Sequence, residues 1–204
     1  MAHHRRNMAA ATALNAGIFI AEGVAGREAH SLSLLTDGVH NFSDELGLAA
    51  LLLAYLFVRG PSRFLLRSAN LINSVGIIFV SVVLLWEAVT RLVHPAPTRG
   101  AVALLVGLAA AAANWGVARL LARPAALNPA VRLAYLHNLG DVWVSLAPAL
   151  AGGLLLATGY SFFDPLIASA VAIWLIVSTV QEVAQSRDAL LWPEAIVCDH
   201  PEHF

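Results

Sequence analysis

The sequence predicts an all-α polytopic membrane protein, a bundle of six transmembrane helices. Three observations predict it. Of the 204 residues, 59% are apolar and only 12% are charged. The mean hydropathy is +0.73, a value of chains whose solvent is lipid rather than water. The apolar residues also gather into six runs, each close to or above the ~20 residues that a helix needs to cross a bilayer core. These runs are too long and too seldom alternating for barrel strands, which leaves helices as the spanning structure.

The first run, residues 8–28, is interrupted by Asn15 and Glu22, which argues for a retained span rather than a cleaved leader. The others cover 34–58, 69–93, 100–122, 129–158 and 163–184. Between them lie turn residues and charges, as in Arg59-Gly60-Pro61-Ser62-Arg63, His94-Pro95-Ala96-Pro97, Arg123-Pro124 and Thr158-Gly159-Tyr160. Asp164-Pro165 reads as a helix start, with Asp as N-cap and Pro at the first helical position. Pro148, seven residues beyond Asp141, removes a helix hydrogen bond and predicts a bend in the fifth run. Residues 1–185 are therefore expected to form one membrane domain. Residues 186–204 form a short cytoplasmic tail that cannot bury a core of its own.

All twelve cationic residues are arginines. In a six-span chain, Arg5, Arg6, Arg59, Arg63, Arg67, Arg119, Arg123, Arg132 and Arg187 fall on one side, against Arg27, Arg91 and Arg99 on the other. The positive-inside rule then places both termini in the cytoplasm. A net charge of −1 gives no basic face for nucleic acid. The single Cys198 excludes an internal disulfide and a multi-thiolate metal cluster.

Ionisable residues inside a span are costly, roughly 2.5 to 3.5 kcal/mol for an Asp at mid-bilayer on insertion scales. The second run nonetheless holds His40 and Asp44, and the fifth holds His137 and Asp141. Each pair is four residues apart, so its side chains share one helix face. One such match is weak; two, in different spans, are not. Two imidazoles and two carboxylates make a four-ligand set suited to Zn²⁺. Two aspartates also neutralise a 2+ ion, so the loaded site carries no net charge through the low-dielectric layer. Metal binding requires deprotonated ligands, so protons compete for the same site. This is the arithmetic of a metal/proton antiporter, with zinc as transported substrate and no organic cofactor.

The run Ser31-Leu32-Ser33-Leu34-Leu35-Thr36-Asp37-Gly38-Val39-His40-Asn41-Phe42-Ser43-Asp44 resembles the second helix of the cation diffusion facilitator family. Leu127-Asn128-Pro129 through Tyr135-Leu136-His137-Asn138-Leu139-Gly140-Asp141 resembles the fifth, and Phe163-Asp164-Pro165-Leu166-Ile167-Ala168-Ser169 the opening of the sixth. Ser68-Ala69-Asn70-Leu71-Ile72-Asn73 is similar to the third. The resemblance implies six helices, cytoplasmic termini, a homodimer, and zinc efflux or sequestration driven by protons. It carries the transport-site ligands onto His40, Asp44, His137 and Asp141, a set that goes with zinc preference. No organelle signal argues against a bacterial inner membrane, which is the expected location. Two departures are expected: the C-terminal cytoplasmic domain is lacking, and Arg59–Arg67 has no His, Asp or Glu for a secondary metal site.

Other readings accompany these. Cd²⁺, Co²⁺ or Fe²⁺ are alternative cargoes, and a metal-sensing subunit needing a partner is an alternative role. An intramembrane metallohydrolase needs an open coordination position, which four protein ligands would fill, and no His-Glu-x-x-His occurs. Asp37 either relays protons and steadies the ligands, or caps the start of the second helix. Asn15 and Glu22, seven apart on one face, either line an aqueous path or hydrogen-bond between helices. Asn41, Asn70, Asn73, Asn114 and Asn138 read as polar packing contacts. The tail group Cys198, His200, His203 and the pair His3-His4 read as disordered polar segments with some capacity for metal.

Overall fold

A computed structural model describes residues 2–56, 63–126 and 129–191. All the elements in these stretches are helical: α1 (Ala2–Glu28), α2 (Leu32–Leu56), α3 (Arg63–Val93), α4 (Gly100–Ala125), α5 (Pro129–Val144), α6 (Leu146–Thr158) and α7 (Phe163–Leu191). The expected Arg59–Arg67 loop, Leu127-Asn128 and the tail with Cys198, His200 and His203 lie wholly or partly outside the described residues. The same holds for the side chains of His3, His4, Arg5, Arg63, Arg67, Asn70, Asn73, Arg132 and Arg187.

Among the described residues, five segments are long and apolar enough to cross a membrane: Ala9–Glu28, Ser74–Val93, Gly100–Arg123, Tyr135–Thr158 and Phe163–Gln181. The sixth, α2, has 25 residues, about 37 Å of helix. Asp37, Asp44 and Glu45 lower its hydropathy, so the same residues that make it interesting make it look least like a span. Buried polar residues share the interior with small apolar ones, and large apolar residues face outward. Asn15, Glu22, Asp37, His40, Asn41, Asp44, Asn114, Asn138 and Asp141 are buried, whereas Phe79, Trp86, Leu105 and Trp143 face outward. An apolar exterior suits a lipid solvent, and polar groups kept within spans turn to the bundle interior.

The expected fifth span is two helices, broken at Ser145. Pro148 has no N–H to give to the carbonyl four residues back and its ring crowds that turn. The helix therefore stops at Val144 and restarts at Leu146. Downstream, α7 runs through Leu191, past residue 185 where the sequence reading ends the domain.

Small residues let the backbones approach. Ala11 and Ile18 pack on Ala110, Val117, Leu121 and Ala125, joining α1 to α4, and Leu32, Ala88 and Ala168 join α2, α3 and α7. A Cβ on Gly152 would stand 2.3 Å from the Gly100 carbonyl oxygen, and one on Gly107 2.6 Å from the Ala149 nitrogen. Backbone-to-backbone packing of α4 and α6 thus requires glycine at both sites. The link between α1 and α2 is one tight turn in which His30 has a φ of 51°. Arg91 Nη1 and Thr98 Oγ1 donate to the His30 carbonyl at 2.6 and 3.3 Å, and the Arg99 N–H to that of Ala29 at 3.0 Å.

Candidate metal centre

Each histidine lies eight residues, and each aspartate twelve, beyond the first residue of α2 or α5. At 1.5 Å per residue the side chains therefore start about 12 and about 18 Å into their helices. Successive spans alternate in direction, so α2 and α5 run antiparallel. In a core ~30 Å thick, His40 is then level with Asp141 and Asp44 with His137. The observed contacts follow that level. His40 Nε2 lies 3.0 Å from Asp141 Oδ1, and His137 Nε2 lies 2.7 Å from Asp44 Oδ1. Within each helix the His–Asp separations are longer, 3.7 and 3.9 Å. The expected stacking of each pair on its own helix is thus real, but the shorter bonds cross between helices.

One potential ligand atom from each of the four lies within 4.8 Å of all the others. Asp44, Asp141 and His40 are buried; the His137 side chain is 51% exposed. His137 is thus the one exposed member of an otherwise buried cluster. His40 stands edge-on to His137 at 5.8 Å between ring centroids and to Trp174 of α7 at 5.6 Å. Trp174, one of five tryptophans in the chain, carried no sequence signal that set it apart.

The residues placed near the site divide into two groups. Asp37 sits in the second turn of α2, so the capping alternative fails; Ser31 caps that helix, its Oγ accepting the Leu34 N–H at 3.3 Å. Asp37 is 1% exposed, and its carboxyl lies against that of Glu22 and near the Ser145 hydroxyl. Glu22 Oε2 in turn accepts Asn41 Nδ2 at 2.7 Å. Asn15 donates to the Asn41 carbonyl at 3.0 Å and to Glu45 at 3.4 Å. Asn15 and Glu22 are fully buried and bridge α1 to α2, which is the interhelical alternative; neither borders open water.

Asn114 of α4 continues the same layer. Its Nδ2 lies 3.3 Å from Asn41 Oδ1 and 2.9 Å from Ser145 Oγ, at the break between α5 and α6. A polar chain thus runs directly behind the ligands, from α1 through α2 and α4 to the break. Sequence reasoning found the asparagines but not the order in which they connect.

Comparison with known proteins agrees with this architecture. The cation efflux transmembrane domain matches residues 8–191. The zinc transporter ZitB of Escherichia coli strain K12 is 28% identical over 198 residues, 93% of this chain and 63% of that protein. A cadmium, cobalt and zinc/H(+)-K(+) antiporter of Bacillus velezensis is 31% identical over 186 residues, 86% of this chain and 59% of that protein. The metal cation efflux system protein CzcD of Cupriavidus metallidurans is 27% identical, covering 92% and 62% respectively. The chain spans about three fifths of the length of these relatives. These relatives are transporters and an efflux protein, not enzymes, so the metallohydrolase reading is set aside. A match running from the first span to the end of the last, over a helical bundle with a His/Asp cluster at its centre, makes this chain a member of the cation efflux family.

Proposed function

We propose that this protein exports Zn²⁺ from the cytoplasm in exchange for protons, binding the ion at His40, Asp44, His137 and Asp141. The observation that carries the reading is the convergence of those four side chains, two imidazoles and two carboxylates, within 4.8 Å of one another. Two nitrogen and two oxygen ligands suit a tetrahedral zinc, and their two negative charges cancel that of the ion. The names of the relatives, zinc among them and protons in one, support both cargoes. Cadmium and cobalt also appear there, and imidazole with carboxylate binds several divalent ions besides zinc.

The arginine distribution supports cytoplasmic termini, and the bacterial relatives support a place in the bacterial inner membrane. The end where α2 finishes and α5 begins then faces the cytoplasm, and the exposed His137 is the entry. Transport follows by alternating access: zinc sheds water and binds, the helices reorient around the site, and protons from the other side take its place. The transport unit is the helical bundle that ends with α7 at Leu191. All four ligands come from one chain, so the homodimer implied by the resemblance is not needed to build the site.

Reconstituted vesicles with an internal zinc dye, challenged with a metal panel with and without a pH gradient, test the proposal. Zinc flux is expected to rise when the receiving side is made acidic. Flux indifferent to the gradient would remove the proton from the scheme, and no flux of any divalent ion would remove transport.

Competition also sets a sign for pH. Protons occupy the ligand atoms that zinc needs, so apparent affinity is expected to fall as pH falls, about tenfold per pH unit for each proton displaced. Binding titrations at several pH values in detergent measure this. Asp37 and Glu22, the carboxyl pair behind the site, are the proposed proton way station, with Asn15 holding α1 in place beside them. Asp37→Asn should therefore weaken the response of flux to the pH gradient more than it weakens zinc binding. An unchanged gradient response in that variant would take Asp37 out of the path.

A further inference from the structure

Asp164 opens α7 and is buried, yet no hydrogen bond described for its carboxylate goes to its own helix. Its side chain turns to the first turn of α2. Oδ2 accepts the Leu32 N–H at 2.6 Å, and Oδ1 accepts the Ser31 hydroxyl at 2.7 Å and the Ser33 hydroxyl at 2.5 Å. The Ser33 N–H adds a longer contact of 3.4 Å to Oδ1. The sequence expectation that Asp164 caps its own helix is corrected by these bonds: it caps another one, more than 130 residues away in the chain.

Among the described residues no cation pairs with Asp164. Its charge is met by hydroxyls, by main-chain N–H groups and by the positive end of the α2 dipole. Hydrogen bonds to an ionised acceptor are about twice as strong as neutral ones, so this is the strongest tie described between α2 and α7. The other braces at that end, from Arg91, Thr98 and Arg99, hold the carbonyls of the α1–α2 turn and do not reach α2 itself.

The two helices start at the same end and run parallel. His40 lies about 12 Å along α2 from Leu32, and Trp174 lies about 15 Å along α7 from Asp164. These are comparable heights, and there the two rings meet edge-on at 5.6 Å. Between the tie and the rings, Leu32 packs with Ala168. The two helices are thus joined at the tie, along an apolar seam, and at a ligand.

We propose that Asp164 is a positioning residue for metal binding: by holding the first turn of α2 against the start of α7 it sets the height and rotation of His40 and Asp44 relative to α5. A rigid helix carries a shift at its first turn to side chains whose metal bonds tolerate only ~0.2 Å. This rests on the reading of the four residues as metal ligands, and the test separates the two.

Zn²⁺ binding to the purified full chain in detergent is measured by competition with a fluorescent chelator at fixed pH. The variants are Asp164→Ala, Asp164→Asn, the double Ser31→Ala/Ser33→Ala, and Asp44→Ala, each taken from the folded peak of size exclusion. Groups bonded directly to metal ligands typically alter affinity 10- to 100-fold, and for Asp164→Ala, which acts through the helix, a loss of about tenfold, the lower end of that range, is expected. Asp164→Asn keeps an acceptor oxygen, and the double serine variant keeps the charge and the Leu32 bond, so both should fall between it and wild type. In vesicles the half-saturating zinc concentration should rise more than the maximal rate falls, a split that loss of folded protein alone does not produce. Should Asp164→Ala fail to fold, the other two variants decide. Wild-type zinc affinity in the Asp164 and serine variants, with binding lost in Asp44→Ala, overturns the positioning role and leaves the ligand reading standing. Unaltered binding in Asp44→Ala overturns both.

Discussion

Replacing Asp44 or Asp141 by alanine is expected to abolish zinc transport while the protein remains inserted and folded. Either change removes one of two charges that balance a 2+ ion, so a bound ion would keep a net positive charge in a low-dielectric setting. An uncompensated buried charge of that kind is penalised by several kcal/mol, far more than binding to three remaining ligands can offset. The fold is expected to survive because helix packing rests on other residues, the α1–α4 seam of Ala11, Ile18 and Val117 among them. The cost in the empty site is local. Asp141→Ala takes away the 3.0 Å partner of His40, and Asp44→Ala the 2.7 Å partner of His137. Dye-loaded vesicles give the flux and size exclusion gives the fold. Near-normal flux from either variant would refute the proposed site.

Gly152→Val should do the reverse and cost the fold. Any Cβ at residue 152 stands 2.3 Å from the Gly100 carbonyl oxygen and 2.5 Å from the Leu104 nitrogen, both main-chain atoms. Neither can swing aside as a side chain would, so α4 and α6 must separate. Overpacking of well-packed sites costs about 1–3 kcal/mol and occasionally more, and the upper end or beyond is expected where backbone is the obstacle. Gly153→Ala is the control. Its added Cβ would meet only Leu104 Cδ1, at an ordinary 3.9 Å. Thermal unfolding in detergent should show a large drop for Gly152→Val and almost none for Gly153→Ala. Equal melting temperatures for the two would mean that the helices are not packed as described.

The contrast between these residues shows what can be read from sequence and what cannot. His40, Asp44, His137 and Asp141 were legible because ionisable groups are rare in apolar runs and the four-residue spacing makes each pair share a face. The crossed pairing was not read. It depends on the antiparallel course of α2 and α5, which puts the first member of one motif level with the second member of the other. Pro148 announced a bend, but the break falls three residues earlier, at Ser145, because a proline disturbs the turn that precedes it.

Asp164 shows the limit of local rules. Asp followed by Pro has the composition of a helix start, and α7 does begin there. Yet the carboxylate's partners, Ser31, Leu32 and Ser33, are brought to it only by the tertiary fold. Asn15, Glu22, Asn41 and Asn114 were each recognisable as polar residues needing partners in lipid. Their connection into one chain ending at Ser145 is a property of packing, and no spacing within a single helix encodes it. Trp174 was hidden for another reason: tryptophan is ordinary at membrane interfaces, and nothing in its neighbourhood marks this one as a wall of the site.

The ion's surroundings can be observed directly by zinc K-edge X-ray absorption on the purified protein loaded with one equivalent of Zn²⁺. Four scatterers at about 2.0–2.2 Å, two of them with the outer-shell signature of imidazole, are expected. That imidazole signature should disappear when His40 and His137 are both replaced. A six-oxygen hydrated shell, a sulfur neighbour at about 2.3 Å, or a spectrum unmoved by the double replacement would contradict the assignment of zinc to this cluster.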